Sequence, residues 1–155
     1  YRIIAMPYPP QGSGARLPID AAQVKSIPAS ATLFSDNTLH TATSRFPTFS
    51  TLHRIPISPD RIYTFRAIFS ARTTNPRYRC YVRLAVRCNA GGAAVSQDIW
   101  ASTTSTIFTT LTLLKAEPII GYDYVELQLA TSNSDVPVES RSEELVATYG
   151  KLVGD

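Results

Sequence analysis

Lysine is scarce in this chain. Of 155 residues only three are lysine, so nearly all of the 15 basic residues are arginine, and charged residues together make up just 17%. That fraction lies well below the quarter typical of soluble domains. No apolar run approaches the roughly 20 residues needed to cross a bilayer as a helix, and no membrane partner is expected. Residues 1–30 also lack the basic start and unbroken apolar core of a secretory signal. Catalytic signatures are missing as well. The two histidines, His40 and His53, belong to no HExxH-type pattern, which assigns them turn or surface roles. Gly12-Ser13-Gly14 lacks the spacing of a nucleophile elbow. Asn89-Ala90-Gly91-Gly92 has neither the lysine nor the helix of a phosphate loop. With no CxxC pair, no metal and no cofactor are expected. Enzymatic activity is not expected either.

What remains is a composition of strands and turns. Serine and threonine number 32, proline 11 and tyrosine 8, while Leu, Ile, Val and Phe together supply 39 residues for a core. The size suits one domain. Charge is lopsided: through Lys115 there are 13 basic against 4 acidic residues, and from Ala116 onward 2 against 8. Such asymmetry can be neutralised within one fold or between neighbouring copies.

Residues 1–30 hold five of the prolines and the Gln11-Gly12-Ser13-Gly14 stretch. Proline removes amide donors and fixes φ, so an extended arm is predicted there rather than a sheet centre. The arm still carries Ile3, Ile4, Met6 and Tyr8, apolar surface that an unfolded tail seldom needs. These four are the expected arm contacts, docking on this domain or on a neighbouring subunit.

From residue 31 to 155 the pattern predicts a β-sandwich domain. Tyr78 to Cys88 alternates strictly, with Cys80, Val82, Leu84 and Val86 on one side and Arg79, Tyr81, Arg83 and Arg87 on the other. Tyr63, Phe65, Ala67 and Phe69 define a second inward row, with Arg66 outward, and Val125, Leu127 and Leu129 a third, with Tyr124, Glu126 and Gln128 outward. Ile107 to Leu113 reads as a further strand with Ile107, Thr109, Leu111 and Leu113 on one side. Weaker strands are expected near Ala31–Phe34, Thr51–Ile55, Ala93–Trp100 and Glu143–Tyr149, the last with helix as the alternative. Asn89–Gly92 reads as a hairpin turn. Seven or eight short antiparallel strands at this spacing give an all-β fold, a β-sandwich of jelly-roll type with a proline-rich N-terminal arm. Cys80 and Cys88, eight residues apart on one strand, sit roughly 26 Å apart, too far for a disulfide. They are expected to be buried thiols, with Cys88 beside the turn.

The outward rows converge on one candidate face. Arg66, Arg79, Tyr81, Arg83, Arg87, Tyr124, Glu126 and Gln128 share a surface if their strands are neighbours. Aromatic rings flanked by Arg, Glu and Gln suit stacking on and hydrogen bonding to a glycan, and equally suit covering by the arm or by another subunit. Nucleic acid is not expected as a partner, because the arm lacks the dense basic charge of RNA-packaging tails.

The segment Ile55-Pro56-Ile57-Ser58-Pro59-Asp60-Arg61-Ile62-Tyr63-Thr64-Phe65 resembles the turn and tyrosine strand of jelly-roll carbohydrate-binding modules. Leu33-Phe34-Ser35-Asp36-Asn37 looks like their first strand, and the stretch from Ile99 and Trp100 to Phe108 like their tryptophan-containing turn. Modules of this shape also occur in tail fibres and capsid decorations of tailed bacteriophages. The resemblance implies a virion location and a non-enzymatic structural role as a phage decoration or tail/fibre component. Its partners would be other virion proteins and further copies of itself; recognition of a cell-surface glycan is the alternative.

Overall fold

Strands form where apolar side chains recur every second residue, because the pleat sends alternate residues to opposite faces. β4 (Ile62–Thr73) buries Tyr63, Phe65, Ala67, Phe69 and Ala71, and β5 (Cys80–Arg87) buries Cys80, Val82, Leu84 and Val86. β8 (Tyr124–Thr131) buries Val125, Leu127 and Leu129 on the same principle. The computed structural model describes residues 27–89 and 97–151; the expected arm contacts and most of the Asn89–Gly92 turn lie outside them. The remaining strands are β1 (Ile27–Asp36), β2 (His40–Ala42), β3 (Ser50–Pro56), β6 (Ile99–Thr103), β7 (Thr109–Ile119) and β9 (Val138–Lys151). None of the described residues forms a helix long and apolar enough to cross a membrane.

Two sheets result. One runs β1-β9-β4-β7, with β2 paired to β9; the other runs β3-β8-β5-β6. Apart from the short β2, the eight long strands divide between the sheets in the interleaved order of a jelly roll, which closes two Greek keys into one sandwich. The all-β sandwich expected from the sequence is therefore the fold. Within the body Ser30–Tyr149, the core lies between the sheets. Its largest fully buried side chains are Phe65, Phe69, Leu84, Leu127, Leu129 and Leu145, each worth about 1.5–3 kcal/mol of burial.

Several local expectations need correction. The first strand starts at Ile27, not Ala31. β2 was not foreseen, since three residues are too few to show a period. Ile107 is 76% exposed in the loop ahead of β7 rather than in the strand, and β7 runs on to Ile119 through Pro118. β7 tolerates that proline because it is an edge strand with few ladder bonds to donate. Trp100 lies in β6, not in a turn. Glu143–Tyr149 is strand as expected, with the helix alternative set aside, because β9 lies between β1 and β4 and both neighbours supply ladder partners. Cys80 and Cys88 are unpaired; Cys80 is buried and Cys88 half-buried.

Two irregularities re-aim side chains. The β3–β8 register shifts between Thr51 and His53, so Thr51 opposes Gln128 and His53 opposes Leu127, with Leu52 as the extra residue. In β9 the buried parity changes from Val138 and Ser140 to Glu143, Leu145 and Ala147. Ser142, at φ 58°, sits at the change of phase. A bulge of this kind turns the following side chain to the opposite face.

Candidate functional site

Seven of the eight residues expected on one face lie together on the outer side of the four-stranded sheet. The β5–β8 register sets Arg83 opposite Gln128 and Arg87 opposite Tyr124, with Glu126 facing Ala85 and Tyr81 facing Ala130. Arg79 precedes β5 and donates to Ser102 Oγ at 3.1 Å. Arg66 is the exception. It lies on β4 opposite Leu114, in the other sheet, where it lines a shallow groove of about 230 Å³ with Thr64, Leu114 and Val146.

Most polar groups of this face satisfy one another; Asp98 Oδ2 is buried with no hydrogen-bond partner among the described residues. Glu126 Oε2 accepts from Arg54 Nε at 3.0 Å and pairs with its Nη2, also at 3.0 Å. Glu126 Oε1 accepts from Gln128 Nε2 at 2.9 Å and from Thr51 Oγ1 at 3.3 Å. Gln128 Oε1 in turn accepts from Arg83 Nε at 2.6 Å. Arg87 donates to Asp98 Oδ1 at 2.8 Å, and that hydrogen bond holds its guanidinium above the usual arginine range. Burial acts the other way on Arg83 and lowers it. Arg54 also lies 4.2 Å above the Tyr124 ring. These donors and acceptors are largely engaged with each other rather than aimed outward.

Beside the network lies an aromatic cluster that the sequence reading only half found. The segment after β2 folds back over the sheet, with Thr131 N–H donating to Ser44 O and Phe46 N–H to Thr131 O, both at 2.8 Å. It lays Phe46 on Tyr81 at 4.2 Å between centroids and near-parallel. Phe49 and Trp100 flank Phe46 at 5.7 and 5.4 Å, and the Arg83 guanidinium covers Phe49 at 4.1 Å. Trp100 remains 53% exposed. Phe46 and Phe49 were missed because a loop carries no periodicity; the pair of aromatics around Pro47 was the available signal.

A second constellation lies across the sandwich. Asp36 ends β1, His40 opens β2, and His53 and Glu143 are the first inward side chains after the β3 and β9 irregularities. His40 Nε2 is 3.0 Å from Asp36 Oδ2 and 3.5 Å from Glu143 Oε1. His53 Nε2 is 2.9 Å from Glu143 Oε1 and 3.4 Å from Asp36 Oδ2. The Glu143 side chain is fully buried, and that of His53 is 11% exposed. The turn or surface roles assigned to the histidines are thus corrected: both face a shared pair of carboxylates. The outer oxygens are held separately. Thr38 donates to Asp36 Oδ1 through Oγ1 at 2.8 Å and N–H at 3.0 Å, and Ser140 Oγ donates to Glu143 Oε2 at 2.6 Å. Hydrogen bonding from His40 first, then Thr38, holds the Asp36 carboxyl well below the usual carboxylate range.

No protein-family model matches the chain, and no curated protein matches it. Among solved structures the chain resembles the infectious bursal disease virus VP2 subviral particle, at TM-score 0.56 and 15% identity over 80% of this chain. A structure of the Gx strain of that virus matches at TM-score 0.51 and 14% identity over 84%. The likeness is one of fold. The chain spans about a third of the length of those proteins, 33% and 34%, and at such identity no residue role carries over.

Proposed function

We propose that this chain is a non-enzymatic structural building block of a virus particle. It docks through the outer face of its four-stranded sheet and through the arm of residues 1–30, onto other virion proteins and onto copies of itself. The observation that carries this reading is the interleaved jelly-roll strand order, a fold it shares with the VP2 subviral particle. A fold alone serves many functions, and the surface supplies the rest. Phe46, Tyr81 and the exposed Trp100 form an aromatic anchor of the kind that dominates protein interfaces. The self-satisfied network beside it can be covered without stranding many polar groups. Within this reading, the finer placement implied by the sequence resemblance is a capsid decoration or a tail/fibre component of a tailed phage.

The exposed Trp100 also favours a second reading, a platform for a cell-surface glycan. Against it, one side of Tyr81 is covered by Phe46 and one side of Tyr124 by Arg54, and the flanking Glu126 and Gln128 are already engaged. Light scattering after size exclusion, run beside a glycan array, separates the two readings. The full chain should self-associate, and Trp100→Ala or Tyr81→Ala should weaken association about thirtyfold, the effect of losing about 2 kcal/mol at a hot spot. A chain that stays monomeric and binds a glycan through Trp100 would overturn the structural reading.

A further inference from the structure

We infer that Asp36, His40, His53 and Glu143 form a binding site for a first-row divalent cation of zinc type, one that cross-braces the sandwich. One ligand atom from each of the four lies within 4.8 Å of all the others. The four nitrogen–oxygen separations are 2.9, 3.0, 3.4 and 3.5 Å. Tetrahedral zinc with bonds of about 2.0–2.1 Å needs edges of about 3.3–3.4 Å. Closing the two like-atom edges to that length moves each ligand by less than about 1 Å.

The chemistry of the set selects the metal. Two imidazole nitrogens and two carboxylate oxygens suit zinc and its first-row neighbours, whereas calcium and magnesium seek all-oxygen shells. A divalent ion would also neutralise the two carboxylates that the fold holds together. The surroundings orient the ligands. Each carboxylate has its outer oxygen pinned, Asp36 Oδ1 by Thr38 and Glu143 Oε2 by Ser140, which leaves Oδ2 and Oε1 facing the histidines. Outer hydrogen bonds of this kind fix metal ligands elsewhere. The Phe34 ring packs on His53 at 4.3 Å between centroids and limits its rotation. Two of the four ligands, His53 and Glu143, directly follow a change of strand phase and share the inward parity of Ile55 and Leu145, and at Ser142 the left-handed conformation is one that a non-glycine residue seldom adopts. Asp36, His40 and Glu143 belong to the five-stranded sheet and His53 to the other, so a bound ion would bridge the two layers.

The test is calorimetric titration of the full chain with zinc chloride, alongside calcium chloride, followed by thermal unfolding with and without zinc. Expected are one equivalent of zinc bound, a raised midpoint, no response to calcium, and the visible absorption of a tetrahedral centre when cobalt(II) replaces zinc. His40→Gln should remove the site. Ser140→Ala, which touches only the outer oxygen of Glu143, should weaken zinc binding about 10–100-fold. Should His40→Gln fail to fold, the cobalt spectrum of the unaltered chain and the Ser140→Ala titration still decide. No zinc binding, binding unchanged in the folded variants, or a preference for calcium would each overturn the proposal and leave the cluster a hydrogen-bonded network only.

Discussion

Arg54 is a surface residue by exposure, its side chain 63% accessible, and surface substitutions usually move stability by less than about 0.5 kcal/mol. Its partner reverses that expectation. The Glu126 side chain is only 8% exposed, and the Oε2 that Arg54 holds through Nε and Nη2 has no other hydrogen-bond partner among the described residues. Arg54→Ala should therefore leave a nearly buried carboxylate without its cation, at a cost of about 2–3 kcal/mol. Glu126→Ala frees Arg54 into solvent, which costs little. It also removes one of the two acceptors of Gln128 Nε2 and one packed methylene at about 0.8 kcal/mol, for a total of about 1–2 kcal/mol. In the double variant the stranded charge disappears, so the two effects should fall short of adding by about 1–2 kcal/mol. Glu126→Leu, which fills the same space without a charge, should cost less than Glu126→Ala. Urea unfolding followed by circular dichroism measures all four. An Arg54→Ala chain within about 0.5 kcal/mol of the parent, together with an additive cycle, would refute the claim that this network holds the face together.

Burial pushes the Cys80 thiol up to about 12 from a reference of 9.0. The folded state therefore keeps a proton that the unfolded chain releases between those values, and stability should fall as pH rises through that window, by about 4 kcal/mol in all. Unfolding midpoints measured from pH 8 upward check this against Cys80→Ala, which should flatten the slope; an unchanged slope refutes it. The same burial predicts that a bulky maleimide labels Cys80 only after denaturation, and rapid native labelling would show its facing to be wrong. At Ser142, φ 58° costs an L-residue about 1–2 kcal/mol, more than the added chain entropy of glycine. Ser142→Gly should accordingly stabilise by about 0.5–1 kcal/mol, and Ser142→Val should destabilise. Loss of stability in the glycine variant, measured by urea titration, would count against the bulge.

Strand faces were legible wherever one strand is buried on one side. The alternation from Cys80 to Arg87 placed Arg79, Tyr81, Arg83 and Arg87 opposite the core, and the structure keeps that parity. The same held for the inward rows of β4 and β8, because parity is a property of a single strand and needs no partner. Which strands are neighbours is another matter. Arg66 has the parity of an outward residue, yet β4 pairs with β7 and β9 in the other sheet, so it never joins the face. Sheet membership depends on contacts far apart in sequence, to which a local period is blind. The aromatic anchor shows the same limit, since Phe46 reaches Tyr81 through backbone bonds from Ser44 and Phe46 to Thr131. The histidine–carboxylate cluster shows it most fully. His53 and Glu143 are 90 residues apart and match no ligand spacing, and each directly follows a change of strand phase. Those changes of phase bring Ser140 and Glu143 both inward on β9, and Ser50 and His53 both onto the core side of β3. A chain pattern read at period two cannot show where the phase slips, because the slip is decided by the strand that pairs with it.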